Sequence, residues 1–99
     1  DVLHTPVLPM PTPSLEATAY SSGPDYLKMV VALTRNTKVV NYLGLPALSV
    51  SCGFTDDGLP TSFQLIGRPF SESLLLRLGH QYQHETDWHQ MMPKALAAL

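Results

Sequence analysis

Four prolines, at positions 6, 9, 11 and 13, limit most strongly what the first part of this chain can form. Proline fixes φ and lacks an amide donor, so this stretch can be neither a regular helix nor a central strand. The apolar run that ends at Pro6 is typical of a strand that stops at a turn. We therefore predict that residues 6–22 form an extended Pro-rich connection laid over a surface; a flexible linker is the alternative.

The next segment carries helix signals. Pro24 suits a first helical position, and Asp25 complements the helix dipole in the first turn. The apolar residues that follow have helical spacing, and few polar residues separate them. This pattern predicts a helix buried on more than one side. The polar run 34–38 interrupts this pattern, so we expect a second short helix, capped by Asn36 and ended by Gly44.

Strand patterns occupy the middle of the chain. Leu48, Val50 and Cys52 alternate with small residues, as in a strand with one tightly packed face. Asp56-Asp57-Gly58 is a strong turn signal, and residues 62–66 form a suitable return strand. We expect an antiparallel, hairpin-like pair.

The last third predicts one more amphipathic helix. Ser71 is a good N-cap, and Glu72 lies in the favourable first turn. A one-sided leucine stripe continues the helix to about Glu85. A turn anchored by a buried Trp88 follows, and the residues after Pro93 form a short helix or a frayed tail.

Composition indicates a surface that meets more protein. Charged residues make up only 14% of the 99 residues, although 44% are hydrophobic, and a small domain has a large surface to cover. No basic block accompanies the net charge of −2, so nucleic acid and anionic membrane are poor partners. The single cysteine fits a reducing compartment, and we expect a cytoplasmic location. The start at Asp1, without an initiator Met or a signal segment, is typical of the middle of a chain.

Histidines raise the possibility of a metal site. His80 and His84 have the i, i+4 spacing of H-E-x-x-H zinc sites, but Gln81 stands where that motif has Glu. A zinc site needs three or four converging ligands, and the pattern places neither His4 nor His89 near this pair. The sequence favours a solvated helix face, with no metal ligand assigned.

Other reactive side chains also have a plain structural interpretation. Cys52 fills an apolar strand and is expected to be buried and inert. Asp56 and Asp57 are expected to face water in a tight turn rather than to act as an acid–base pair. No nucleophile elbow surrounds Ser49 or Ser51. These patterns alone stop at a small mixed domain of unassigned function.

A series of motifs then carries a resemblance. Residues 41–50, NYLGLPALSV, resemble the N-x-x-G-x-P-A-x-S-V segment of amidase-signature enzymes. The similarity continues through C-G-F at 52–54, D-G-L-P at 57–60 and Q-L-I-G-R-P-F at 64–70. Residues 1–6, which precede these motifs, resemble the D-x-L-x-T-P strand of that family. Glu72, the leucine-rich helix and Thr86-Asp87-Trp88-His89 resemble the closing helix and tail of the family, so the series covers nearly the whole chain in the right order.

This resemblance implies an α/β fold in which residues 1–99 form the C-terminal part of a single amidase domain. In the family, that part contributes to a mixed β-sheet flanked by helices, and we expect this chain to contain only part of that fold. The implied activity is hydrolysis of carboxamide C–N bonds by a Ser-Ser-Lys triad without metal or other cofactor. The triad lies upstream, so no catalytic, cofactor-binding or metal-binding residue is assigned, and the fragment alone is expected to be an inactive piece of a hydrolase. The expected partners are the N-terminal remainder of the amidase and a small-molecule amide substrate, and the isolated chain is expected to self-associate into an oligomer.

Two departures from the family matter. Ser51 stands where the family usually has Pro, which costs backbone rigidity. The resemblance places Thr34 where the amidotransferases of the family carry an Asp that holds glutamine, which favours a general amidase. Thr34, Thr37 and Asn41 are the candidates for a pocket wall, because they interrupt an apolar helix. The alternatives are that these side chains only cap backbone groups, and that the chain is a stand-alone binding module derived from the fold.

Overall fold

A three-stranded antiparallel sheet with a helix on each face forms the centre of the computed structural model, which describes residues 1–19 and 23–97. In chain order the elements are β1 (Leu3–Pro6), α1 (Pro24–Leu43), β2 (Ala47–Phe54), β3 (Pro60–Ile66), α2 (Glu72–Glu85), a 3-10 turn (Trp88–Gln90) and α3 (Lys94–Ala97). The strand order is β1-β3-β2, so β3 is central. The predicted α/β class is confirmed. Residues 20–22 of the predicted connection and 98–99 of the tail lie outside the described residues.

The register of the sheet decides which side chains share a face. Leu48 lies opposite Leu65, and Val50 lies opposite Phe63, in the pairing of β2 with β3. Since neighbouring residues of a strand point to opposite faces, Gln64 lies on the other side of the sheet. The apolar alternation that predicted the hairpin therefore marks a single face, which α2 covers.

Helix α2 packs closely on that face because it presents a glycine. Gly79 is buried, and a Cβ built on it would lie 2.6 Å from Leu48 Cδ2. One turn further on, the ring of Tyr82 meets Phe63 edge-to-face, with 4.9 Å between centroids. Leu75, only 2% exposed, completes the contact. The predicted helix end at Glu85 is confirmed. Of the predicted stripe, Leu74, Leu75 and Tyr82 are at least half-buried, whereas Leu78 is 37% exposed.

Helix α1 corrects two expectations. Burial on more than one side is wrong for this chain, because Val40 is its buried residue and Leu27 and Val31 are exposed. The helix also runs unbroken over 20 residues, whereas the polar run 34–38 predicts a break and a second helix. The hydroxyls of Thr34 and Thr37 bond back to carbonyls of their own helix, at 2.7 and 3.3 Å. These bonds satisfy the hydroxyls without leaving helical geometry. The predicted end is confirmed, because Gly44 adopts a left-handed conformation with φ of 64°.

Smaller expectations are corrected at the ends of the elements. The Ser71 hydroxyl donates to the Arg68 carbonyl at 2.7 Å, so it serves the preceding turn and does not cap α2. Trp88 is half-buried rather than buried, and its ring lies edge-on to Phe54 at 6.4 Å. The pairing of β1 with β3 extends to Pro6, and residues 7–19 contain bends and a turn but neither helix nor strand.

Little apolar surface is covered among the described residues. In residues 1–19 and 23–97, the buried hydrophobic side chains are Val40, Val50, Leu65, Ile66 and Leu75. Many large hydrophobic side chains of the same ranges are exposed, among them Tyr42 at 90% and Leu27 at 62%. Since large exposed apolar patches normally meet another surface, the outer faces of the helices lack cover in this chain. No helix in residues 1–19 and 23–97 has the length and apolar character needed to span a membrane.

Candidate functional site

The candidate pocket wall lies on one side of α1. Because an α-helix turns once every 3.6 residues, Thr34, Thr37 and Asn41 fall along a common face. The unbroken helix brings them together more regularly than two short helices would. Thr34 and Thr37 are half-buried, and Asn41 is exposed. The three candidates therefore form a single polar stripe.

The hydrogen bonds on this stripe distinguish its members. Thr34 Oγ1 donates to the Val30 carbonyl, and Thr37 Oγ1 donates to the Thr34 carbonyl. Both hydroxyl protons are thus committed to the helix, which is the structural alternative that the sequence left open. The exposed side-chain amide of Asn41 can donate and accept hydrogen bonds with a group outside the helix. Of the three, Asn41 is the side chain best placed to meet a ligand.

A polar clamp on the other side of α1 fixes the stripe's orientation. Asn36 Nδ2 donates to the Pro6 carbonyl at 3.0 Å, and Gln64 Nε2 donates to the Asn36 carbonyl at 2.9 Å. Gln64 Nε2 also lies 3.0 Å from Thr5 Oγ1. One buried amide, 4% exposed, thereby joins β1, β3 and α1. Asn41 lies about 140° around the axis from Asn36, and its exposed side chain turns away from this chain's own sheet, whereas Thr34 is half-buried.

Sequence reasoning missed this clamp. In the sequence, Gln64 stands out only as one residue of the family motif, and Asn36 resembles a helix cap. A glutamine between the apolar residues of a central strand was the signal, because a buried amide must find partners.

The remaining reactive side chains form no shared centre among the described residues. Cys52 is half-buried at a bulge of β2, with its sulfur 3.7 Å from Thr61 Oγ1, so the expectation of full burial is wrong. Asp56 and Asp57 are exposed in the turn, as predicted. Ser49 and Ser51 are exposed on β2.

The histidine pair converges, which spacing alone did not establish. His80 Nε2 and His84 Nε2 lie 3.0 Å apart, and both side chains are exposed. His89 lines the same concavity without joining them in a set of three. Among the residues that the structure describes, no three His, Cys, Asp or Glu side chains are placed to hold a metal ion.

Comparison with known proteins decides the family. The model of the family described as Amidase matches residues 1–76. The chain belongs to the Amidase family. The match runs from β1 into the first turns of α2, so it includes the candidate stripe and the clamp of this amidase segment, and it confirms the resemblance stated from the motifs.

Curated relatives are similar along most of the amidase segment. The A subunit of the glutamyl-tRNA(Gln) amidotransferase of Nitrosococcus oceani is 44% identical over 94% of the chain and 18% of the relative. The corresponding protein of Thermodesulfovibrio yellowstonii is 36% identical over the same shares, and that of Chloroflexus aggregans is 58% identical over 58% of the chain and 12% of the relative. The chain thus spans less than a fifth of the length of these relatives. No solved structure matches significantly.

Proposed function

We propose that this chain is the C-terminal segment of a single-domain amidase that hydrolyses carboxamide C–N bonds. In this proposal a Ser-Ser-Lys triad upstream of Asp1 performs the chemistry, and the segment alone is inactive. The family match over residues 1–76, combined with relatives of which the chain spans at most 18%, carries the proposal. A serine nucleophile needs a base and an oxyanion hole in contact with it, and the residues placed together on α1 supply neither.

The segment's proposed role is to complete the sheet and to form one wall of the acyl pocket. The exposed amide of Asn41 supports the wall, because the clamp holds the opposite side of α1 against this chain's own sheet. The exposed apolar side chains are evidence that another polypeptide covers them. We infer that this polypeptide is the N-terminal remainder of the protein.

We propose that the substrate is a small-molecule amide and that the protein acts in the cytoplasm without a nucleic acid or membrane partner. The isolated chain should self-associate through the same apolar surface. Light scattering tests this, and a monomer at every concentration would contradict it.

Covalent labelling locates the nucleophile. The intact protein, treated with a serine-reactive fluorophosphonate, should lose carboxamide turnover and carry the label on a residue upstream of Asp1. Peptide mass spectrometry should find no label on Ser49 or Ser51, which are the exposed strand serines of this segment. The 99-residue chain alone should show neither labelling nor turnover. A labelled serine within residues 1–99 that accounts for the lost turnover would overturn the proposal.

Substitution of Asn41 tests the pocket wall. In the intact enzyme, Asn41→Ala should raise KM about fivefold and change kcat less, because a hydrogen bond to bound substrate contributes roughly 1 kcal/mol. The control is Arg35→Ala, an exposed position about 120° around the same helix, which should leave both constants unchanged. Equal kinetics for the two variants, at equal melting temperature, would exclude Asn41 from the wall.

The similarity to the relatives described above favours a second candidate, the A subunit of a glutamyl-tRNA(Gln) amidotransferase. Thr34 argues for the first candidate, because its hydroxyl proton is committed to the Val30 carbonyl and it carries no charge for an ammonium group. Steady-state assays of the intact protein with glutamine and with a simple carboxamide separate the two. Preference for the carboxamide supports a general amidase, and preference for glutamine supports the amidotransferase.

A further inference from the structure

The imidazole rings of His80 and His84 converge tip to tip on the exposed side of α2. Their Nε2 atoms are 3.0 Å apart, with 4.4 Å between ring centroids and an angle of 75° between the ring planes. We propose that this pair is a surface chelate for a late first-row divalent transition-metal ion, with Cu²⁺ bound most tightly. The site is separate from the amide chemistry proposed above, which is assigned to residues upstream of Asp1.

The distance between the two Nε2 atoms can be compared with the distance expected when two imidazoles bind one metal ion. Metal–imidazole bonds are about 2.0–2.1 Å long, so two nitrogens at a 90° angle on one ion lie about 2.9 Å apart, and at a tetrahedral angle about 3.3 Å apart. The observed 3.0 Å is the length of the hydrogen bond between the metal-free rings, and it is close enough to both values for the pair to close on one ion. Tetragonal geometry with nitrogen ligands is typical of Cu²⁺ and Ni²⁺, and Cu²⁺ leads the affinity series.

The surroundings leave room for the rest of a coordination shell. Both histidines line an open concavity of about 260 Å³ together with Gln83, His89 and Gln90. No third His, Cys, Asp or Glu among the described residues completes the set, so water fills the other positions and the ion exchanges readily. The helix holds the i, i+4 pair in place, which makes binding by the second imidazole intramolecular.

Binding exchanges one hydrogen bond for two metal bonds. In the metal-free pair, one ring carries its proton on Nε2 and donates it to the Nε2 lone pair of the other. To coordinate through both Nε2 atoms, the donor ring moves that proton to Nδ1 through solvent. The pair then holds the ion without a net change in its own protonation.

Titration of the tag-free intact protein with Cu²⁺, Ni²⁺ or Zn²⁺ alone tests the site. Calorimetry should show Cu²⁺ bound more tightly than Zn²⁺ at a site that is lost in the variants of His80 and His84. His80→Gln and His84→Gln should each weaken Cu²⁺ binding about tenfold or more, because a single imidazole cannot chelate. The matched control is His89→Gln, which removes an exposed histidine from the same concavity and should retain wild-type affinity.

Electron paramagnetic resonance of the Cu²⁺ complex provides a second measurement that does not depend on a variant's stability. Its nitrogen hyperfine pattern should show two equatorial imidazoles in the wild type and one in His84→Gln. Wild-type affinity in His80→Gln, an equal loss in His89→Gln, or a single coordinated imidazole in the wild type would each overturn the proposal.

Discussion

Leu75→Ala should lower the free energy of unfolding of this chain by about 2–5 kcal/mol, the usual range for truncating a buried leucine. Leu75 is 2% exposed, the lowest value among the buried hydrophobic residues. It lies beside the backbone at the end of β3, since a Cβ built on Gly67 would be 3.2 Å from Leu75 Cδ2. Few other apolar groups are buried among the described residues, so the cavity removes a large part of a small core. Urea unfolding, followed by the helical circular dichroism signal, measures the loss.

The next residue provides a matched control. Leu76 has the same chemistry on the same helix but is 61% exposed. Leu76→Ala should therefore change the free energy of unfolding by no more than about 0.5 kcal/mol. Equal losses for the two variants would mean that α2 does not pack on the sheet through the face that contains Leu75.

Gln64→Leu should cost about 1–3 kcal/mol of unfolding free energy. The replacement keeps a side chain of similar size but removes the donor that serves Thr5 Oγ1 and the Asn36 carbonyl, at 3.0 and 2.9 Å. Because Gln64 is only 4% exposed, water cannot readily take over its role. Urea unfolding measures the cost in the same way as for Leu75.

Hydrogen exchange gives the Gln64 prediction a second readout. Loss of the clamp should speed amide exchange in α1 near Asn36 and leave exchange in α2 unchanged. The control is Gln81→Leu at an exposed glutamine of α2, which should alter neither stability nor α1 exchange. Unchanged exchange in α1 of Gln64→Leu would show that the clamp does not hold that helix to the sheet.

Local patterns were sufficient to predict much of this fold. The alternation from Leu48 to Val50 and the leucine stripe of α2 follow from strand and helix periods, which depend on neighbours in sequence. The break predicted in α1 was wrong because a threonine hydroxyl has two choices. It can compete with the helix, or it can bond to a carbonyl one turn back, and only the folded geometry shows that Thr34 takes the second.

Contacts between distant residues could not be predicted from such patterns. The bonds of Gln64 reach 59 residues back to Thr5 and 28 residues back to Asn36. No periodic signal encodes them. The bulge at Cys52 depends on how β2 and β3 come into register, so its partial exposure was also missed. The spacing of His80 and His84 predicted a shared face but not the convergence of their rings.

Complementation tests most directly the claim that this segment is finished by polypeptide that carries the reactive serines and lysine. Carboxamide turnover is measured for this chain, for the separately expressed remainder of the protein, and for the two co-expressed. We predict turnover only in the co-expressed sample. Turnover by the 99-residue chain alone, or turnover by the remainder alone at the rate of the intact enzyme, would contradict the account.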